Sequence, residues 1–383
     1  MKFETLKFSD VTINYDKKRI PLSAMERIKR QGKYRYYGAQ GIIDYIDDYI
    51  FDGKYLLIAE DGENLKSKKQ NIAQIAEGKF WVNNHAHIVQ CNDKCRLEYL
   101  CFLLNSMELS GYITGSAQPK LSQVNMNSIS LILPSVETQD LILSVILPIE
   151  QKIALNTAIN ENLTEQARSI FQSWFIDYEP FCSSVPSDWK PATLSQIAVM
   201  KTDSWSPAKN PDVVVEHYSI PSYDAQRYPV FEIASGIKSN KYLLTSDSVM
   251  ISKLNPDTKR IWRPLCLSGH PVCSTEFIVY EAKKRGQRDY IYSLIDSVPF
   301  FNHLCSHTTG STNSRQRATP KSTLDFALYL PPDSVIEDFC QIVTPIYDLI
   351  ASNIVENQSL AQARDNLLPR LMSGDIDVYS LDL

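Results

Sequence analysis

One helical-looking stretch occurs twice in this chain, and any fold it adopts must place both copies. Residues 145–174 read VILPIEQKIALNTAINENLTEQARSIFQSW, and residues 342–368 read IVTPIYDLIASNIVENQSLAQARDNLL. Pro148-Ile149, Ile153-Ala154, Asn156, Asn160 and Leu163 recur as Pro345-Ile346, Ile350-Ala351, Asn353, Asn357 and Leu360, each pair 197 positions apart. A repeat of this kind fixes the architecture before any local propensity does. Both copies read as helices that start at their prolines, where the missing N–H costs nothing. In the first, Ile149, Ile153, Asn156, Asn160, Leu163, Ala167, Ile170 and Trp174 step alternately by four and three, the coiled-coil period. Ile346, Ile350, Asn353, Asn357 and Leu360 repeat that seam. A polar seam residue lowers stability and fixes register. The expectation is that the helices pack on each other, with these Asn residues setting their alignment. The alternative is two unrelated amphipathic helices, each lying on its own domain.

The segments ahead of the two helices also resemble each other. Tyr55-Leu56-Leu57-Ile58-Ala59 is echoed by Ser248-Val249-Met250-Ile251-Ser252, and Ile88-Val89 by Ile278-Val279. Thr114-Gly115-Ser116 recurs as Thr309-Gly310-Ser311, and ISLILP at 129–134 recurs as FALYLP at 326–331. Phe8-Ser9 is likewise echoed by Leu194-Ser195, and across these pairs the separation ranges from 186 to 197 while the order of elements is kept. The fold expected is therefore α+β, a tandem duplication of a mixed globular domain followed by a long helix. Its parts are a first domain at 1–134, a helix region at 135–178, a second domain at 179–331, and a helix region with the C-terminal tail at 332–383. Residues 42–51, 55–61, 80–90 and 129–134 read as strands in the first half, and 249–254, 260–267, 276–282 and 326–331 in the second. One helix per half is expected at 97–107 and at 288–298. The second repeated helix is expected to end at Pro369.

A length of 383 residues suits two or more domains, and 44% apolar residues supply ample core. No stretch approaches a membrane span, and the N-terminal MKFETLKFSDV lacks an apolar signal region. The expectation is a cytoplasmic protein with no membrane partner, its eight cysteines reduced. His303, Cys305 and His307 lie close together but lack a following Cys-x-x-Cys, so a structural zinc is only an alternative. A formal charge of −5 argues against binding nucleic acid by bulk charge, yet leaves room for a basic face.

A search for catalytic chemistry yields little. There is no Gly-rich phosphate loop. No Asn-Pro-Pro-aromatic run marks an amino-methyltransferase; Asn255-Pro256-Asp257 is the nearest approach. Asp44, Asp47, Asp48 and Asp52 cluster ahead of Lys54, as a metal-dependent nuclease would need, but the surrounding pattern places them facing solvent. The stronger signal is contact with nucleic acid. Residues 17–35 hold eight basic residues and one acid, Glu26, with Tyr34, Tyr36 and Tyr37 interleaved. Lys33, Arg35 and Tyr37 are candidate DNA contacts there, since cations neutralise phosphates and aromatics give rigid contact area. Asn83 and Asn84 form a polar cluster in an apolar run, suiting either base contact or turn chemistry. Gln118 and Lys120 follow the first Thr-Gly-Ser turn; Arg315, Arg317 and Lys321 follow the second. Lys253 and Arg260 make a further basic patch. Arg pairs with guanine, and Gln or Asn with adenine, in two-point fashion.

These strings resemble the specificity subunits of type I restriction-modification enzymes. The likeness is carried by YYGAQGIIDYIDDYIFDGKYLLIAEDGENL from Tyr36, WVNNHAHIV from Trp81 and TGSAQPKLS from Thr114. In the second half HYSIPSYD from His217, SNKYLLTSDSVMISKLNP from Ser239 and TGSTNSRQRATP from Thr309 carry it, with LPRLMSGDIDV from Leu368 at the close. The resemblance implies two target recognition domains, each reading half of a split double-stranded DNA site, and two spacer helices that pair as an antiparallel coiled coil and dock two methyltransferase subunits. It implies that S-adenosylmethionine, ATP and Mg²⁺ serve those partners and the restriction subunits, with no cofactor and no active site in this chain. Phe171 and Phe175, off the helix seam, are the candidate partner-docking residues. The helix at 149–175 would act as a ruler about 40 Å long between the half-sites. Two other classes stay open: a single-chain nuclease or methyltransferase, and a coiled-coil scaffold without a nucleic-acid role.

Overall fold

The computed structural model describes residues 2–67, 70–115, 118–309 and 316–381. The chain divides into two compact units, Met1–Lys152 with Leu360–Leu383, and Ile153–Ser359.

In the first unit β1 (Phe3–Lys7) and β8 (Ser130–Pro134) pair antiparallel. Between them lie β2 (Thr12–Asn14), α1 (Ala24–Lys29), β3 (Gln31–Gly38), β4 (Gly41–Ile46), β5 (Phe51–Ala59), β6 (Ala73–Val82), β7 (Ala86–Cys91) and α2 (Leu97–Ser106). Six strands form one sheet in the order β2-β7-β5-β6-β3-β4. That sheet cannot be flat. Phe51 pairs with Phe80 and Ala59 with Ala86, at opposite ends of β5. Those ends lie roughly 26 Å apart at strand rise, whereas the six residues from Phe80 to Ala86 span at most about 21 Å. The bend falls where Gly53 faces Gly78, both at positive φ (127° and 85°), a conformation that side chains with a Cβ resist. Two strand expectations are corrected here. Residues 42–51 split between β4 and β5, and 80–90 is broken by a turn at Asn83–His85, because the bend demands a reversal in both places.

The core of this unit gathers Phe8, Leu56, Val89, Tyr99, Leu104 and Leu131 around Ile142, Leu143 and Ile146 of the first long helix and Leu371 and Met372 of the second. That packing explains a second correction. The first long helix runs Val136–Phe175 and the second Asp333–Ser373, so Pro148, Pro345 and Pro369 lie inside them rather than at their ends. Ser135 caps the first, its Oγ accepting the Thr138 N–H at 3.3 Å. An internal proline forfeits one helical hydrogen bond; burying a whole apolar turn N-terminal to it offsets that loss at about 1.5–3 kcal/mol per large side chain. One helical stretch here, within Val136–Phe181, is also apolar enough to cross a membrane by length and composition, with mean hydropathy 1.3. The sequence had suggested that no stretch came close.

In the second unit β9 (Lys190–Thr193) and β21 (Ala327–Leu330) repeat the β1–β8 pairing. Between them come β10 (Ala198–Lys201), β11 (Ser204–Trp205), β12 (Val214–Tyr218), β13 (Val230–Ile233), β14 (Lys241–Leu243), β15 (Ser248–Ser252), β16 (Ile261–Trp262), β17 (Pro271–Ser274), β18 (Phe277–Ala282), β19 (Thr308–Thr309) and β20 (Arg317–Ala318). They form a four-stranded sheet, order β10-β18-β15-β16, a five-stranded one, order β11-β14-β17-β12-β13, and the pair β19-β20. α3 (Arg288–Asp296) stands where α2 stands in the first unit. Only Ile261–Trp262 of the expected strand at 260–267 is extended in a ladder. The aromatic residues Phe171, Phe175, Trp189, Tyr290 and Phe339 fill this core. Phe171 and Phe175 are 4% and 7% exposed, which overturns their assignment as docking residues. Both rings pack between Phe339 of the second long helix and Tyr290 of their own domain, so they present no free surface.

Within this unit the two helices do pack on each other. Asn156 Nδ2 donates to Asn357 Oδ1 at 2.9 Å and to Glu356 Oε2 at 2.7 Å, and Asn353 Nδ2 donates to Asn160 Oδ1 at 2.8 Å. As one partner advances four residues the other recedes four, the signature of antiparallel helices. In the first unit Arg364 Nη1 meets Glu150 Oε1 at 2.9 Å. Leu163 and Leu360 are half-buried.

Candidate nucleic-acid interface

The Thr-Gly-Ser loops are mounted alike in both units. In the first, Thr114 and Lys120 exchange backbone hydrogen bonds (2.9 and 2.8 Å), Leu121 N–H donates to Glu60 O, and Gly62 N–H to Pro119 O. Gly115 has φ 84°, and a Cβ there would lie 2.2 Å from Gln118 O, so glycine alone fits the turn. In the second, Thr309 pairs with Arg317, Ala318 N–H donates to Lys253 O, and Asn255 N–H to Gln316 O. The segment after β15 thus holds the second loop as the segment after β5 holds the first. Each loop ends in a cation tied to a carboxylate of its own unit. Lys120 Nζ lies 3.2 Å from Glu60. Arg317 is bidentate to Glu276, with both contacts at 3.0 Å.

Below the first loop lies a buried polar network. His87 Nδ1 meets Asp16 at 2.6 Å and its Nε2 meets Leu121 O at 2.8 Å. Arg19 reaches Glu60 (2.9 Å) and Ala86 O (2.7 Å). Burial pushes the Asp16 carboxyl up, but hydrogen bonds from His87 and the Ile88 N–H, with the charges of His87 and Arg19, outweigh it and hold the group below its ordinary value. Glu60 behaves likewise: burial raises it, and the Arg19 hydrogen bond, the His87 charge and Lys120 bring it down. Sequence reading missed this network, because its members lie far apart in the chain and carry no spacing motif.

The remaining candidates fall into three groups. Lys33, Asn84, Gln118 and Lys321 are exposed, with Lys33 Nζ 5.3 Å from the Tyr34 ring. Lys253 and Arg35 are half-buried, and Arg35 Nη2 donates to Glu77 O at 2.7 Å. Three others are structural, which corrects their assignment. Tyr37 is in the core, edge-on to Phe80 at 5.5 Å, and burial raises its hydroxyl. Asn83 is buried, its Oδ1 accepting the His85 N–H at 2.8 Å, so the turn alternative holds. Arg260 is clamped bidentate to Asp224 at 2.6 and 2.9 Å with its side chain only 13% exposed, against 48% for Arg317. Arg315 lies outside the described residues. The basic run at 17–35 is likewise mixed, since Arg19, Arg27 and Arg30 pair with carboxylates of their own unit. Among the described residues no group of three or more His, Cys, Asp or Glu side chains is placed to hold a metal ion. Asp44 and Asp47 are instead held by Arg27 and Arg30.

The sequence model of the type I restriction modification DNA specificity domain matches residues 2–165. Residues 2–165 thus carry a type I restriction-modification DNA specificity domain. A provisionally named type I restriction enzyme specificity subunit of Haemophilus influenzae is 33% identical over 128 residues, covering 33% of this chain and 32% of that relative. The HindI specificity subunit of the same organism is 23% identical over 88% of this chain and 87% of its own length. The crystal structure of the type I restriction-modification S subunit from M. genitalium superposes with a TM-score of 0.66 at 13% identity, covering 97% of this chain and 96% of that one. At that identity the likeness speaks for the fold. It spans both units and both long helices, so the shared fold extends past the matched domain.

Proposed function

We propose that this chain is the DNA-reading, non-catalytic subunit of a type I restriction-modification complex, and that each unit reads one half of a split, asymmetric site. The observation that carries this is the recurrence of one loop mount with different contents. Gln118-Pro119-Lys120 is backed by Glu60, and Gln316-Arg317 by Glu276. A common scaffold with exchanged side chains suits two readers of different sequence. Phosphate contacts position such a reader and base-edge contacts specify; Arg317 has the fork geometry for guanine. The helices dock two methyltransferase subunits, with Leu155 and Ile159 as contacts in place of Phe171 and Phe175; both are exposed on the first long helix, Leu155 at 56%. The duplicated chain offers similar surfaces twice, as two copies of one partner require. The methyltransferase and restriction subunits use S-adenosylmethionine, ATP and Mg²⁺, and the assembly works in the cytoplasm.

The test is reconstitution. With Mg²⁺, ATP and S-adenosylmethionine the purified chain alone is expected neither to cut nor to methylate DNA. With its methyltransferase partner it is expected to direct adenine methylation to a two-part motif. Turnover by the isolated chain, or methylation without a motif, would overturn the proposal.

A further inference from the structure

α1 is built inside out. Its box of Ser23 and Glu26 is complete, with Ser23 N–H donating to Glu26 Oε2 at 2.8 Å and Glu26 N–H to Ser23 Oγ at 3.3 Å. Yet the helix buries none of its residues. An ordinary surface helix turns its apolar stripe inward and its charges outward. Here Arg27 bonds Asp44 of β4 at 3.0 Å and lies 5.3 Å from the Tyr36 ring. Arg30, which follows the helix, bonds Asp47 at 2.9 Å and lies 5.0 Å from the Trp81 ring. The charges face the body of the domain. Residues three and four apart share a helix face, so Met25, Ile28 and Lys29 form the opposite one. Met25 is 72% and Ile28 71% exposed. Lys29 and Lys33 are exposed, with no carboxylate partner among the described residues.

A second observation points the same way. β4 is the outermost strand of its sheet and exposes Ile42, Ile43 and Tyr45. β13 holds the equivalent place in the second unit: each is antiparallel to a strand (β3, β12) that runs parallel to the next (β6, β17). β13 exposes Val230, Phe231 and Ile233. Apolar surface kept at the same edge of both duplicated units marks a place of contact.

We propose that α1 is the base-reading element of the first unit, entering the major groove of duplex DNA. Met25 and Ile28 contact thymine C5-methyl groups, and Lys29 and Lys33 contact phosphates. The major groove admits an α-helix, and the thymine methyl is its one apolar feature. The free lysines beside the apolar face favour a polyanion over a protein partner. The proposal rests on the DNA-specificity function above and names the chemistry that the first unit reads.

The test uses the complex assembled with its methyltransferase, on duplexes carrying its own methylated motif. Thymines of either strand in the half-site read by the first unit are replaced one at a time by deoxyuridine, which lacks the methyl. The wild-type complex is expected to bind at least one such duplex about four-fold more weakly, the worth of one buried methyl. The double variant Met25→Ala/Ile28→Ala is expected to assemble and melt as wild type, to bind the all-thymine duplex more weakly, and to be indifferent to the deoxyuridine. Four results would overturn the proposal: a deoxyuridine penalty unchanged in the variant, no penalty in the wild type, a first half-site without thymine, or a variant that fails to join the methyltransferase, which would make this face a protein-docking surface. A wild-type complex with no preferred motif would instead sink the specificity function itself.

Discussion

Replacing Phe175 with alanine tests whether the exposed-looking aromatics of the first long helix are core. The ring lies 5.0 Å from both Tyr290 and Phe339, 5.1 Å from Phe171 and 5.9 Å from Trp189. Truncating a buried Phe costs about 3–5 kcal/mol through lost transfer energy and the cavity left behind. With Trp174 at 6.1 Å it has five aromatic partners, whose geometry adds about 0.5–1.5 kcal/mol per pair and places Phe175 in the upper half of that range. Against a domain stability of about 5–15 kcal/mol, such a loss takes much of the margin. Urea unfolding followed by tryptophan fluorescence is well suited, since Trp174 and Trp189 report on this cluster. The expected result is a large fall in the midpoint with an unchanged slope. Leu155→Ser and Ile159→Ser, on the exposed face, should move stability by less than about 0.5 kcal/mol and weaken assembly with the methyltransferase. A Phe175→Ala chain of normal stability that fails to assemble would refute this division between core and docking face.

Other outcomes follow from the same contacts. Asp16 and Glu60 have folded values held below their ordinary ones, so their stabilisation is present above the unfolded carboxyl range and is lost as pH falls through it. Melting temperature should therefore drop below about pH 4, and Asp16→Asn should flatten that limb while lowering stability at pH 7; an unchanged acid limb would count against the network. Asn156→Leu alone should destabilise by about 1–3 kcal/mol, because it strands Asn357, whereas Asn156→Leu/Asn357→Leu should recover most of the loss. Thermal melts decide this, and a double variant as unstable as the single would contradict the pairing. Four residues inserted between Glu161 and Gln166 lengthen the helix by about 6 Å, or about two base pairs. Methylation sequencing should then show a longer unread spacer with both half-sites intact, and an unchanged spacer in an active complex would show that the helix is not the ruler.

The duplication and the helix pair were legible in the sequence, because a repeat with two polar seam positions leaves few arrangements. The helix starts were not. Proline at a first turn is the commoner case, and only the burial of Ile142, Leu143 and Ile146 shows why the helix begins earlier. The two loop mounts were legible through Thr-Gly-Ser, but their carboxylates were not: Glu60 and Glu276 come from different turns of their respective sheets. Tyr37, Asn83 and Arg260 had the right chemistry for DNA and were placed elsewhere by tertiary contacts that no local pattern announces. Phe171 and Phe175 failed for a related reason, since a residue off one seam can still face a second core. The outward face of α1 went unread, because the basic residues around it drew attention to charge, and half of those charges turn inward.

The central claim, that each unit reads its own half-site, is tested most directly by sequencing the methylated motifs of three complexes: wild type, Lys120→Ala and Arg317→Ala. Lys120→Ala is expected to relax one half of the motif and Arg317→Ala the other, each by about 1–3 kcal/mol of discrimination at the affected position, with the spacer unchanged. Relaxation of both halves by either substitution, or a uniform loss of methylation with the motif intact, would contradict it.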